Sequence, residues 1–358
     1  MNLVALRVCV IPLCFAACLS AGENAPSWDA SAAASYLDGR MNWWINWPSA
    51  ARDHGTFCVS CHTVVTYAIG RPALRASLAE QGPSPAERQL LENVTKRVQM
   101  WADVEPFYPD KLRGVPKTAE SRGTESILNA LILVRAGSPN GKLALDRMWA
   151  EQLKAGDAKG AWSWLQFHNA PWEGDSQYFG AVLAAVAIGS APASDRSASD
   201  VQENIRLLRE YLVKNRDSQM LLDRIMLLWA STKLPGLTTE AEQKALVNEA
   251  LAKQQADGGF SLTSFVGNWK RHDDTPLETR SDGYATGVVA FVLQEAGVPR
   301  TEPRVASALN WLEHNQEKAD GRWVAYSLNK QRVLDSDVGR FMSDAATAYA
   351  VLALSHSK

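Results

Sequence analysis

Six times along this chain an amphipathic helical segment is followed by one that is apolar on nearly every side, and this alternation restricts the fold more than any other feature. Apolar residues recur at i, i+3, i+4 and i+7 over residues 28–40, 86–101, 142–153, 200–214, 240–255 and 303–316, each with charge on its other face. Their partners, residues 58–70, 124–137, 175–189, 217–231, 281–297 and 343–354, are rich in Ala, Val and Leu and read as helices buried on most sides. Asp175-Ser176, Asp217-Ser218, Ser281 and Ser343 are N-cap candidates, and Gly70, Gly137, Gly189 and Gly297 read as stops. No run of strand period competes.

Helices that keep one face wet suit an outer ring, and helices apolar all round suit an inner ring touching neighbours on both sides. The expectation is an all-α (α/α)6 toroid of six helical hairpins, formed by residues 23–358 as one domain. Its inner helices run the same way, so their N-termini and the preceding loops meet at one mouth, where a pocket is expected.

The formal net charge of −2 shows no basic excess, which argues against nucleic acid as a partner. Thirteen tryptophans, many in loop-like contexts such as Trp162, Trp164, Trp172, Trp269 and Trp323, either staple helices or line a cavity.

Of the five cysteines, Cys9, Cys14 and Cys18 fall in the apolar run 3–19. With Arg7 ahead of it and Ser20-Ala21-Gly22 behind, that run reads as a signal peptide over residues 1–22, too short for a stable membrane span. Phe15-Ala16-Ala17-Cys18 also resembles a bacterial lipobox, which would end the signal before Cys18 and place a lipid there. Either route exports the protein, to the periplasm or to the outer surface of a bacterium.

The two remaining cysteines stand in Phe57-Cys58-Val59-Ser60-Cys61-His62-Thr63, the CxxCH attachment signature of a c-type haem. On one helical turn both sulfurs reach the porphyrin vinyl carbons, making Cys58 and Cys61 thioether partners and His62 the proximal iron ligand. A CxxC in an exported chain also fits a short disulfide, a redox dithiol, or zinc held by His54, Cys58, Cys61 and a distant fourth ligand. None of these needs the histidine directly after the second cysteine. His54, His168, His272, Met100 and Met342 are candidates for a distal iron ligand, His168 foremost because aromatic residues flank it. Arg122 is a candidate partner for a haem propionate, Glu125 a candidate buried acid, and Asn42-Trp43-Trp44-Ile45-Asn46-Trp47 a candidate wall for the porphyrin. Ser176-Gln177-Tyr178 and Asp223-Arg224 place polar groups in apolar inner segments, facing a central pocket or a buried network.

Trp311-Leu312-Glu313-His314-Asn315-Gln316, followed by Ala319-Asp320-Gly321-Arg322-Trp323, resembles the QW repeat of squalene-hopene cyclases and related terpenoid cyclases. Gln254-Gln255-Ala256-Asp257-Gly258-Gly259-Phe260 is similar with Phe for Trp, and Gln152 with Gly160-Ala161-Trp162 is a stretched version. The resemblance implies the helical toroid shared by terpenoid cyclases and protein prenyltransferases, with Gln and Trp tying neighbouring outer helices. It supports fold more than activity. The cyclase motif Asp-x-Asp-Asp-Thr has its nearest counterpart in Arg271-His272-Asp273-Asp274-Thr275, which makes Asp273 the general acid if such chemistry occurs; otherwise it lies in a polar connector. The prenyltransferase branch implies zinc at an inner-helix mouth. The reading reached from sequence is an exported monohaem c-type toroid in redox chemistry, with an electron donor or acceptor protein as partner or a small apolar substrate in the cavity. The alternatives are a cyclase using Asp273 and a zinc-binding or partner-binding toroid.

Overall fold

The computed structural model describes residues 28–356 except Asp175. The signal segment, the lipid site at Cys18 and the cap candidate Asp175 lie outside the described residues. Helices pair in sequence. The first hairpin is α1 (Ala30–Asn46) with α2 (Thr66–Ser77), which a π-turn, Cys61–Val65, precedes. Next come α3 (Pro85–Gln99), a single-turn α4 (Asp110–Arg113) and α5 (Lys117–Arg135), then α6 (Gly141–Ala150) with α7 (Tyr178–Ser190). A short α8 (Ala193–Ser197) leads to α9 (Gln202–Asn215) and α10 (Leu221–Lys233), followed by α11 (Glu240–Leu251) with α12 (Gly283–Glu295) and α13 (Pro303–His314) with α14 (Phe341–Leu354). The first member of each pair buries one stripe, whereas α7, α12 and α14 are buried almost throughout. The inner helices touch in the order α2, α5, α7, α10, α12, α14 and back to α2, which closes the ring. The sequence-derived toroid is the observed architecture. The only strands among the described residues, Ala51–Arg52 and Thr56–Phe57, form a small antiparallel hairpin beside the CxxCH segment.

Glutamine side chains lock the outer ring. Gln152 donates to Gly160 O at 3.0 Å and to Asn204 O of α9 at 2.9 Å; Gln254 donates to Gly258 O at 2.8 Å and Arg304 O of α13 at 2.7 Å. Gln316 repeats the device across the chain ends, donating to Gly321 O at 2.8 Å and Asp29 O at 2.9 Å while accepting from Asp29 N at 2.6 Å. Each amide therefore joins its own connector to the start of the next outer helix. The accompanying glycine sits at positive φ against that helix, where a Cβ on Gly160 or Gly321 would collide with backbone of Leu207 or Ala32. Trp162 and Trp323 complete the ties by donating to Met148 O at 2.6 Å and Leu312 O at 2.7 Å. Threonines inside the inner helices meet the same connectors: Thr124, Thr286 and Thr347 accept from the N–H groups of Leu165, Phe260 and Trp323. Those polar groups are thereby satisfied within an apolar layer.

Several boundary expectations need correction. Gly70 and Gly189 do not stop their helices; they let backbones approach, Gly70 against Ala348 and Gly189 against Lys233. Gly137 and Gly297 do follow helix ends at positive φ. Asp282, not Ser281, caps α12, accepting from Tyr284 N and Ala285 N. Ser343 lies inside α14 and accepts from Ala325 N, and Asp217-Ser218 forms a 3-10 turn ahead of α10.

Replacing Gln316 by Ala is expected to lower stability by about 2 kcal/mol through loss of the ring-closing amide bonds, and Gly321→Ala by more because strain adds to the collision. Urea unfolding checks both, and midpoints equal to the parent's would refute the closure role.

Candidate functional site

The CxxCH segment is gripped from two helices and the turn after the first of them before its chemistry begins. Asn93 of α3 clamps Phe57, accepting from its N–H at 2.8 Å and donating to its carbonyl at 3.1 Å. Trp44 of α1 donates its indole N–H to Cys58 O at 2.7 Å, and Cys58 N donates to Ala50 O at 2.8 Å. Ser60 then caps the π-turn, its hydroxyl accepting from Thr63 N and Val64 N. Cys58 consequently lies ahead of the helix in extended backbone, with Cys61 and His62 in the first turn; the expectation that the whole motif occupies one helical turn is corrected.

His62 is oriented by a buried chain of hydrogen bonds. The Thr63 hydroxyl donates to Asp344 Oδ2 at 2.6 Å, so it accepts from His62 Nδ1 at 2.8 Å. Asp344 Oδ1 in turn accepts from Tyr36 OH and Arg40 Nε, each at 2.8 Å. Protonation at Nδ1 leaves the Nε2 lone pair bare. Nε2 takes no hydrogen bond among the described residues and still reaches accessible space, since the residue is only half-buried. Phe341 stacks on the imidazole at 3.9 Å, with Trp44 at 5.2 Å and Trp172 at 5.6 Å. The rings steady its faces. Burial, with Arg40 and Arg332 nearby, depresses the imidazole to about 3, so it is a neutral donor.

Both thiols are unlinked and nearly enclosed, Cys58 at 6% and Cys61 at 5% exposure. Burial pushes Cys58 up to about 12 and Cys61 well above its ordinary range, the reverse of the low-pKa thiolate that redox dithiols use. Tyr108, Glu173 and Tyr349 lie within electrostatic reach of the pair. Glu173, half-buried and bonded by Asn169 at 3.3 Å, is pushed up to about 7 by burial. Its place beside the motif was not evident in the sequence, where Trp172-Glu173 is one loop dipeptide among many.

Other expected site residues are elsewhere. His54 sits in the turn of the small hairpin, exposed, with Nδ1 at 3.0 Å from Asp53. It does not join the thiols, and no group of three or more His, Cys, Asp or Glu suited to a metal ion occurs among the described residues. The zinc set is therefore not assembled. Arg122 donates from Nη2 to Val104 O at 2.5 Å and covers the Trp101 ring at 4.7 Å between the second connector and α5, while its buried Nη1 has no hydrogen-bond partner among the described residues. Glu125 is a buried acid, but one paired to Arg97, whose Nε donates at 2.5 Å. His168 stacks on Trp269 at 4.1 Å with His272 at 4.9 Å, and Asn329 reaches its carbonyl at 3.5 Å. Connectors of the third, fifth and sixth hairpins thus converge at the mouth. Met342 is buried in the first turn of α14, where its neighbour Phe341 meets His62, and Met100 ends outer helix α3.

Asp273 is exposed and accepts from the Thr275 hydroxyl at 2.6 Å and from Gln331 N at 2.8 Å. The Thr275 bond leads in holding its carboxyl below the usual range, so it stays ionised where an alkene-protonating acid must carry a proton. The connector reading holds and the general-acid reading is corrected. Asp223 contrasts with it: in the first turn of α10, 4% exposed and with Oδ1 unpartnered among the described residues, it is pushed up to about 7 by burial. Tyr178, Tyr211 and Tyr284 all sense its charge. Asp282 also rises to about 7, but its oxygens accept from Leu262, Tyr284 and Ala285 N–H groups, which makes it structural.

No protein-family model matches the chain, and no curated protein matches it either. Among solved structures it is similar to an unsaturated glucuronyl hydrolase, an Asp-to-Asn variant described with dGlcA-Glc-Rha-Glc, at a TM-score of 0.53 and 10% identity over 90% of this chain and 94% of that one. A glycosidase with a Glu-to-Ala substitution aligns at a TM-score of 0.48 and 12% identity over 89% and 96%. The first of these likenesses bears on the fold alone.

Asp223 binds its proton more tightly folded than unfolded, so folding loses stability as the pH climbs from the unfolded value near 4 through about 7. Asp223→Asn is expected to flatten that decline by on the order of 3 to 4 kcal/mol. Urea unfolding from pH 4 to 8 checks it, and an unchanged slope would count against the unpaired carboxyl.

Proposed function

We propose that this protein is an exported monohaem c-type protein whose toroid seats the haem at its mouth, with Cys58 and Cys61 as thioether partners and His62 as proximal iron ligand. The observation that carries the reading is the state of His62: Nδ1 tied through Thr63 to Asp344, Nε2 bare and accessible. A ligating histidine ordinarily donates its second ring nitrogen in this way, which fixes the tautomer and strengthens the donor. Two unpaired thiols adjoin it, and stacking of Phe341 on the ring face is compatible with a macrocycle lying across the Nε2 edge.

When bound, the haem would supply one-electron redox chemistry. This chain's own residues then do the positioning: Trp44 and Asn93 hold the first cysteine, Ser60 sets the turn, and Asp344 with Arg40 keeps the Thr63 hydroxyl aimed at the imidazole. Electron exchange with a partner protein outside the cytoplasmic membrane ranks first, because covalent attachment and one fixed axial ligand suffice for it. Catalysis on a small apolar molecule needs in addition an open iron face. Cyclisation through Asp273 finds no support, given its exposed carboxylate.

Chain produced with c-type maturation factors should give a pyridine haemochrome spectrum with one haem per chain. Cys58→Ala and Cys61→Ala should weaken or abolish covalent retention, and His62→Ala should keep the thioethers while changing the axial spectrum. A parent protein without porphyrin would overturn the proposal. Added cyanide separates the two uses, shifting the spectrum only where the iron keeps an open position.

A further inference from the structure

At the end of the toroid opposite the mouth, a recess of about 190 Å3 opens between α2, α3 and α5. It has a structural cause: α2 and α5 make the thinnest contact of any adjacent inner pair, so the ring is least filled there. Ile69, Leu90, Leu91 and Ile132 give it apolar walls. Its charges are unequal. Arg75 is paired to Glu87 at 3.3 Å, and Glu87 is further committed to the cap of α3, accepting from Ser84 N at 2.7 Å. Arg135, in the last turn of α5, also lines the recess and makes no hydrogen bond or close ion pair among the described residues; its guanidinium approaches the Trp229 ring at 5.9 Å, with Glu295 and Tyr349 within electrostatic reach. The side chain is exposed although surrounded by protein, as expected of a group projecting into a recess.

We infer that this recess is a binding site for a medium-chain alkyl carboxylate, its hydrocarbon tail between α2, α3 and α5 and its carboxylate on the Arg135 guanidinium. A dry apolar cavity of about 150 Å3 holds benzene, so 190 Å3 accommodates a tail of roughly six to eight carbons. A guanidinium takes a carboxylate through two parallel hydrogen bonds, which an alcohol or ammonium headgroup cannot reproduce. The site is separate from the CxxCH motif and does not depend on haem.

The test is isothermal titration of the full mature chain with octanoate, octanol and octylammonium. Octanoate should bind best. Arg135→Gln should weaken octanoate about tenfold or more while leaving octanol little changed, and Ala136→Trp, at an exposed position on the rim, should block both. Neither substitution touches the buried core, and circular dichroism confirms folding. Absence of octanoate binding at millimolar concentration, equal binding of octylammonium, or indifference to both substitutions would overturn the inference.

Discussion

One buried carboxylate joins the two ends of this chain. Asp344, in the first turn of the last inner helix, accepts from Tyr36 and Arg40 of the first outer helix and from Thr63 in the turn that opens the first inner helix. Burial raises its pKa, and the Arg40 guanidinium with the two hydroxyls opposes that rise by stabilising the charged form. Breaking such a cluster by removing one member typically costs about 3 to 5 kcal/mol, because the remaining charge is left uncompensated. Ring closure and the orientation of His62 are therefore the same interaction. The histidine is aimed only when the first and last hairpins meet.

The outer ring closes by a different device at the same seam. Gln316 binds the start of α1 through both backbone groups of Asp29, as Gln152 and Gln254 bind the starts of α9 and α13 at their carbonyls. Two layers thus converge on one junction, amide ties outside and a carboxylate cluster within. The neighbouring seam, between α2 and α5, has the thinnest packing of the ring, and there the recess beside Arg135 opens. The tight junction fixes the His62 imidazole, and the loose one leaves the recess.

Much of this was legible before the structure. Periodicity gave the hairpins because each helix must bury either one stripe or its whole surface, and the glutamine ties followed from the QW resemblance. What escaped were features that depend on distance in space. Thr63 and Asp344 are 281 residues apart, and nothing local marks them as partners. Gly70 and Gly189 look like terminators because a glycine's local signal is the same whether it ends a helix or lets a neighbour's backbone approach. His54, four residues before Cys58, is swung to solvent by a turn at positive φ. Residue type suggested a ligand there, and local backbone geometry turned it outward.

The haem seat is the claim on which the functional account rests, and the intact mass of the chain produced with c-type maturation factors tests it most directly. The account predicts a mature chain heavier by one haem under denaturing conditions, since thioether bonds survive unfolding. A mass equal to the processed polypeptide alone, or lighter by the two hydrogens of a Cys58–Cys61 disulfide, would contradict it.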